Sequence, residues 1–129
     1  MKKKYLIVVA DYYKDISKGL LQSAKDCLPI SSIIKIINVP GVFEIPVTIS
    51  KNIKKYDGFL ALGCVIKGDT PHFDFISQAS TVAIMKLSIS SKKPIGNGII
   101  TCLNKKQAIV RKKKGREAAI AVISVLSQS

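Results

Sequence analysis

The segment from Lys67 to His72 contains residue types that could bind an anion and transfer protons, and His72 is the only histidine of the chain. Histidine side chains exchange protons near neutral pH, and a helix start attracts anions such as phosphate. Gly68 would allow a ligand to approach closely, and the Thr70 hydroxyl could donate a hydrogen bond. Alternatively, Asp69 or Thr70 merely caps a helix in which His72 is an exposed first-turn residue. Position alone leaves both interpretations open.

Two further residues could contact an organic ligand. Glu44 follows Pro40 to Phe43 at a predicted helix start, where a carboxylate is stabilised by the helix dipole and could accept hydrogen bonds from sugar hydroxyls. Tyr12 could stack on a planar heterocycle. A structural role explains Glu44 equally well, and Tyr12 could simply cover the edge of a sheet.

Length and composition predict a single globular domain over residues 1–129, because 129 residues with 47% hydrophobic content can build one sizeable core. The apolar run Tyr5–Ala10 is far shorter than the roughly 20 residues that cross a bilayer, so no membrane association is expected. The basic start reads as a leader to a first strand, not as a signal peptide. Cys27, Cys64 and Cys102 are widely separated in apolar surroundings, which predicts inert thiols in a reducing cytoplasm and no metal site.

The net charge of +13 has three competing explanations: nucleic-acid binding, small anionic substrates, or a genome biased toward lysine codons. Lysines are scattered through every predicted element, and the chain lacks arginine- and aromatic-rich surfaces that grip bases, so no nucleic-acid partner is expected. The densest basic cluster, Arg111–Arg116, could hold phosphate or form a solvated helix junction.

Apolar runs alternate with segments of helical periodicity. The predicted strands are Tyr5–Ala10, Ile33–Val39, Phe59–Ile66 and Pro94–Thr101. The predicted helices have an apolar face from Ile16 to Leu28, a start near Val42 to Glu44 with Pro46 in the first turn, and spans Phe73–Ser90, Gln107–Val110 and Arg116–Leu126. The order predicts an α/β fold, a flavodoxin-like three-layer sandwich whose four-stranded parallel sheet is flanked by helices on both faces. Gly96 and Gly98 predict a close backbone approach or a bulge.

Ligands of such sheets bind at the carboxyl ends of the strands. Four segments should meet there: Asp11–Lys14, Pro40–Glu44, Lys67–His72 and the residues after Thr101. Their aromatic, acidic and phosphate-compatible groups suit a polar, aromatic, phosphorylated ligand.

Two long motifs, Val39–Pro46 and Ala61–Asp74, resemble those of lumazine synthases, and flanking similarity covers nearly the whole chain. The resemblance implies a transferase that condenses 5-amino-6-(D-ribitylamino)uracil with 3,4-dihydroxy-2-butanone 4-phosphate. The products would be 6,7-dimethyl-8-ribityllumazine, inorganic phosphate and water, in the penultimate step of riboflavin biosynthesis. It further implies imine formation, phosphate loss and ring closure without a metal or organic cofactor.

The resemblance also implies roles for individual residues. His72 would transfer protons, Tyr12 would stack on the pyrimidine, and Glu44 would take ribityl hydroxyls. The other implied pyrimidine and ribityl contacts are Val42, Phe43, Cys64, Val65, Ile66 and Asn97, with Asn97 closing the site from a neighbouring subunit. The implied phosphate and butanone contacts are Gly68, Asp69, Thr70 and Arg111.

The implied assembly is a homo-oligomer with active sites between subunits and a functional link to riboflavin synthase. Shell-forming members of the family usually carry a longer amino-terminal arm that pairs with a neighbour. Few residues precede the first strand here, so the resemblance favours a pentamer, and larger assemblies stay open. Asn97 stands where many family members carry an aromatic residue, and the segment Arg111–Gly115 is shorter than usual, which leaves the match of Lys114 to a family lysine open. Two alternatives remain: the related riboflavin synthase, which dismutates two lumazines, and a paralogue that binds lumazine or flavin without making it.

Overall fold

The computed structural model describes residues 2–128 and confirms the predicted alternation of strands and helices. Its elements in chain order are β1 (Lys4–Ala10), α1 (Lys14–Lys25), β2 (Ile33–Val39), a 3-10 turn (Val42–Glu44) leading into α2 (Ile45–Lys51), β3 (Gly58–Ile66), α3 (His72–Ser91), β4 (Ile95–Cys102), α4 (Lys105–Val110) and α5 (Lys114–Leu126). Pro46 lies in the first turn of α2 as expected. Among residues 2–128, no helix combines the length and hydropathy needed to cross a bilayer.

Helix α1 is shorter than its apolar pattern suggests. It ends at Lys25, and the amides of Cys27 and Leu28 then donate to carbonyls three residues back, at 3.1 and 3.2 Å. This tighter winding brings the chain out of the helix before Pro29, which disfavours helical geometry in the residue before it. Leu28 is buried nevertheless. The periodicity therefore identified the buried face correctly but not the last turn.

The four strands form one parallel sheet in the order β2-β1-β3-β4. The central strands β1 and β3 are buried along almost their whole length, which explains their continuous apolar sequences. Strands β2 and β4 form the two edges. Pairing between β3 and β4 is continuous from Phe59 opposite Ile95 to Ile66 opposite Cys102, so β4 contains no bulge.

Each face of the sheet carries its own hydrophobic core. Ile7, Leu20 and Val122 belong to the core between the sheet and the helices α1 and α5. Leu6 and Ile45 belong to the core beneath α2 and α3 on the opposite face. Helices on both faces of a four-stranded parallel sheet confirm the predicted three-layer α/β sandwich.

The predicted close backbone approach in β4 occurs at Gly96. A Cβ atom built there would lie 2.3 Å from the carbonyl oxygen of Ala118, a distance that no side chain can occupy. Glycine thus lets α5 pack directly on the edge strand. Because α5 is held against β4, the same packing sets the position of the basic segment that precedes α5.

Candidate active site

Three of the four predicted loops meet around a cavity of about 560 Å³ at the carboxyl end of the sheet, hereafter the first cavity. It is lined by Tyr12, Tyr13, Gly41, Val42, Phe43, Glu44, Cys64, Val65, Ile66, His72 and Ile76. Parallel strands end on the same side of the sheet, so residues distant in sequence become neighbours here. The structure therefore brings together eight of the residues predicted to contact substrate.

The segment after β2 is held against the sheet by close packing at Gly63. A Cβ at this position would lie 2.9 Å from Cγ2 of Val42, so a larger residue would displace the segment. Val42 is consequently buried, whereas the Phe43 ring is 69% exposed at the rim of the cavity. Glu44 is half-buried at the junction with α2, and its carbonyl accepts a hydrogen bond from Thr48 Oγ1 at 2.8 Å.

The end of β3 presents mainly backbone to the first cavity. The Cys64 side chain belongs to the core under α1 and α5, and the Val65 side chain belongs to the core under α2 and α3. Because successive side chains of a strand point to opposite faces, neither can be the principal contact for a ligand lying beyond the strand end. A ligand at this strand end would therefore meet backbone groups of the segment.

Cys64 is unsuited to act as a nucleophile. Burial, and to a lesser degree the neighbouring Cys102, raises the pKa of its thiol to about 12. The thiolate is the nucleophilic form, so at neutral pH the thiol stays protonated and unreactive. Cys27, Cys64 and Cys102 are all free.

His72 is the first residue of α3, exposed and on the wall of the first cavity. Its backbone amide donates to Thr70 Oγ1 over a long 3.4 Å, and no side chain caps the helix at Pro71. The alternative interpretation is confirmed in that His72 is an exposed first-turn residue, while the predicted cap is limited to this long contact from Thr70. Gly68, Asp69 and Thr70 lie on the exposed loop before α3 and are not among the residues that line the cavity.

The fourth predicted segment does not join the first cavity, which corrects the expectation that all four loops converge. Asn97 and Arg111 instead line a second cavity of about 680 Å³ beside the edge strand β4. The physical reason is the path of the chain: after β4 it crosses to the α1 and α5 face, where Ala108 enters the core, and Arg111 emerges at the outer side of the sheet.

The second cavity is polar and cationic. The Arg111 guanidinium donates to the carbonyl of Thr101 at 3.0 Å, which holds it beside β4. Lys113 and Lys114 also line the cavity, and Lys114 Nζ lies 3.6 Å from the carboxylate of Glu117. The basic cluster is thus the junction between α4 and α5, and part of it faces a cavity.

Comparison with known proteins identifies the family. The family model described as 6,7-dimethyl-8-ribityllumazine synthase matches residues 2–129. The chain is 41% identical to the 6,7-dimethyl-8-ribityllumazine synthase of Agrobacterium fabrum, over 98% of this chain and 95% of the relative. Proteins of the same name from Bartonella bacilliformis and Corynebacterium kroppenstedtii are 42% and 38% identical, over 93% and 91% of this chain and 88% and 79% of the relatives.

The chain belongs to the 6,7-dimethyl-8-ribityllumazine synthase family. The resemblance drawn from the two motifs is thereby confirmed. Residues from both motifs line the first cavity, so the segments that identify a lumazine synthase in sequence are also those that build this wall.

Sequence reasoning missed two side chains of the first cavity, Tyr13 and Ile76. Tyr13 directly follows Tyr12 and lies in the segment Asp11–Lys14 that was predicted to reach the site, but it had no motif of its own that assigned it a role. Ile76 falls within the predicted helix Phe73–Ser90, and periodicity cannot tell a core position from a cavity wall. Across residues 2–128 no three His, Cys, Asp or Glu side chains cluster as metal ligands would.

Proposed function

We propose that this chain catalyses the condensation of 5-amino-6-(D-ribitylamino)uracil with 3,4-dihydroxy-2-butanone 4-phosphate to 6,7-dimethyl-8-ribityllumazine. The first cavity carries the proposal, because it combines an aromatic wall, the end of β3, a carboxylate and a histidine. Family membership supplies the reaction, and the arrangement of these groups supports assigning it to this cavity.

The pyrimidine would bind between Tyr12 and the end of β3. Tyr12 offers a ring face for stacking, and the backbone of Cys64 to Ile66 offers hydrogen-bonding groups for the edge of the heterocycle. Phe43 would cover the ribityl chain, whose hydroxyls would donate to the carboxylate of Glu44. Such a site holds one polar aromatic substrate in a defined orientation.

His72 would transfer the protons that the condensation requires. An imine forms when the pyrimidine amine attacks the ketone and water leaves; phosphate elimination and ring closure then follow. Each stage moves a proton, and an exposed imidazole at the cavity wall can both donate and accept one. Much of the remaining rate enhancement would come from holding two substrates together.

The phosphate of the second substrate would bind to Arg111. A guanidinium forms strong charge-assisted hydrogen bonds to phosphate, and Lys113 and Lys114 add positive charge to the same cavity. Gly68, Asp69 and Thr70 would contribute from the loop before α3. Because the first and second cavities are separate in one chain, we infer that the complete site forms where two copies meet, with Asn97 and Arg111 supplied by the neighbour.

Exposed apolar residues support association of copies. On the side of α3 away from the sheet, Phe75, Val82, Met85 and Ile89 form an exposed stripe. Next to it, a groove of about 390 Å³ is lined largely by apolar residues of α2 and α3, including Val47 and Ala79. Contiguous exposed apolar surfaces mark interaction sites, and contacts between two different patches generate closed rings when the rotation between copies closes.

We favour a pentamer, which light scattering would report as five chains of 14.0 kDa. Replacing Val82 or Met85 by aspartate should dissociate it. A monomeric wild type with full activity would contradict a site shared between copies. Three free cysteines fit a reducing cytoplasm, and a functional link to riboflavin synthase follows from the proposed product.

Purified protein supplied with both substrates tests the proposed reaction. We expect fluorescent lumazine and inorganic phosphate to appear in equal amounts, and neither to appear when one substrate is omitted. Consumption of lumazine alone would indicate the related riboflavin synthase. Lumazine or flavin binding without any turnover would indicate a non-catalytic paralogue.

A further inference from the structure

The side chain of Tyr13 contacts both the exposed ring of Tyr12 and the hydrophobic core. The Tyr12 ring is 75% exposed and has little packing of its own. Its centroid lies 4.9 Å from that of Tyr13, and the ring planes meet at 83°. This is the edge-to-face arrangement that aromatic pairs prefer.

The backbone on both sides of Tyr12 is fixed by one residue of α1. The buried hydroxyl of Ser17 donates to the carbonyl of Ala10, and the Ser17 amide donates to the carbonyl of Tyr13 at 2.9 Å. The chain path through Tyr12 is therefore set, and rotation of the side chain is the main freedom left. Contact with the Tyr13 ring restricts that rotation.

Tyr13 is itself anchored. Its ring packs against the core under α1 and α5 while lining the first cavity. Burial raises the pKa of the Tyr13 phenol, and the adjacent Tyr12 and Cys64 raise it further, as expected for a side chain placed between cavity and core. An anchored ring in contact with an exposed one can determine how the exposed one is oriented.

We propose that Tyr13 is a positioning residue that holds the Tyr12 ring in the orientation needed to stack on the heterocyclic substrate. Its effect is preorganisation: the side-chain order that binding requires already exists in the free protein. The identity of the ligand rests on the proposed function, whereas the ordering of Tyr12 does not.

The first experiment measures this ordering without any ligand. The sequence contains no tryptophan, so Tyr12→Trp introduces a single fluorescent reporter. In that background Tyr13→Leu should increase the amplitude of nanosecond rotation in time-resolved anisotropy, whereas Tyr13→Phe should restore the restricted rotation because the ring edge is kept. Equal rotation in the three proteins would overturn the proposal.

The second experiment measures binding of 6,7-dimethyl-8-ribityllumazine by fluorescence titration, with Tyr12 intact. Tyr13→Leu should weaken binding about three- to tenfold, the range expected when one aromatic pair contact is lost, and Tyr13→Phe should recover most of it. Steady-state assays should assign this loss to the KM of the pyrimidine substrate rather than to kcat. An equal loss in Tyr13→Phe would mean that the hydroxyl, and not the ring, matters, and would reject the positioning role.

Tyr56→Leu is the matched control. Tyr56 forms an edge-to-face pair with Phe59 at 6.1 Å and 73°, packs against the other core, and does not line the first cavity. It should lower the melting temperature as Tyr13→Leu does while leaving lumazine affinity unchanged. Equal affinity losses in both variants would mean that general destabilisation explains the effect. If the wild type binds no lumazine, the proposed function fails and the anisotropy still decides the role of Tyr13.

Discussion

The two cavities of the chain differ in both chemistry and construction. The first lies at three strand ends and is lined by aromatic and aliphatic side chains, together with the carboxylate of Glu44 and the imidazole of His72. The second lies along an edge strand and collects Arg111, Lys113 and Lys114. The first suits a planar heterocycle with a polyol chain, and the second suits a phosphate. In the proposed reaction, the two substrates would thus bind to surfaces that one copy of the chain keeps apart.

The largest expected effect concerns the first cavity. His72→Ala should lower kcat by about 10² to 10⁴, the usual contribution of a positioned acid or base. Assembly size and melting temperature should not change, because His72 is exposed at the start of α3. Steady-state kinetics with both substrates would measure this. Lys18→Ala, at an exposed position of α1 that lines neither cavity, is the control, and an unchanged kcat in His72→Ala would reject the proton-transfer role.

Arg111→Ala tests the second cavity. It should raise the KM of the butanone phosphate about 10- to 100-fold, as expected for loss of charged hydrogen bonds, with a much smaller change for the pyrimidine. Arg111→Lys should recover only part of the lost affinity for the butanone phosphate, because lysine lacks the planar guanidinium group of arginine. The matched control is Lys112→Ala, which removes a neighbouring exposed charge that does not line the cavity. Equal increases in the KM of the butanone phosphate in Arg111→Ala and Lys112→Ala would indicate general charge attraction and would reject a specific contact of Arg111.

Mixing these two variants tests whether the cavities join between copies. When His72→Ala and Arg111→Ala chains are refolded together, about a quarter of the sites in a heterologous ring should contain both intact halves. Activity at low butanone phosphate concentration should therefore rise well above that of either variant refolded alone. No gain from mixing, in assemblies shown by mass spectrometry to contain both chains, would place the whole site within one copy.

The fold was predictable because its signals are local. Continuous apolar runs such as Tyr5–Ala10 and Phe59–Ile66 can be satisfied only by strands buried on both faces, and these two strands became the centre of the sheet. The end of α1 was less predictable. Whether Leu28 continues the helix or is buried after a tighter turn depends on the tertiary packing that buries it, not on periodicity.

The first cavity was largely predictable for a related reason: its walls follow strand ends, and a parallel sheet brings strand ends together. The position of Arg111 was not, because it depends on the face to which the chain crosses after β4 and on how closely α5 approaches Gly96. Tyr13 was missed since its contribution depends on the angle between two rings. That angle is set only when the side chains pack in the folded protein.

The smallest expected effect concerns Asn97, the residue through which the two cavities would meet. Its Oδ1 accepts a hydrogen bond from the backbone amide of Ile99 at 3.1 Å, which leaves the amide nitrogen to donate to a ligand. Asn97→Ala should then raise the KM of the pyrimidine substrate about two- to tenfold, the value of one neutral hydrogen bond.

The substrate whose KM changes in Asn97→Ala shows which cavity Asn97 contacts. Asn97 lines the cationic cavity together with Arg111, so a role confined to that cavity would change the KM of the butanone phosphate instead. A change in the pyrimidine KM requires Asn97 to reach the first cavity, and that happens only if a neighbouring copy supplies it. Asn97→Phe should restore affinity for the pyrimidine substrate by stacking. Asn38, an exposed asparagine on the opposite edge strand β2, provides the control: Asn38→Ala should change the KM of neither substrate.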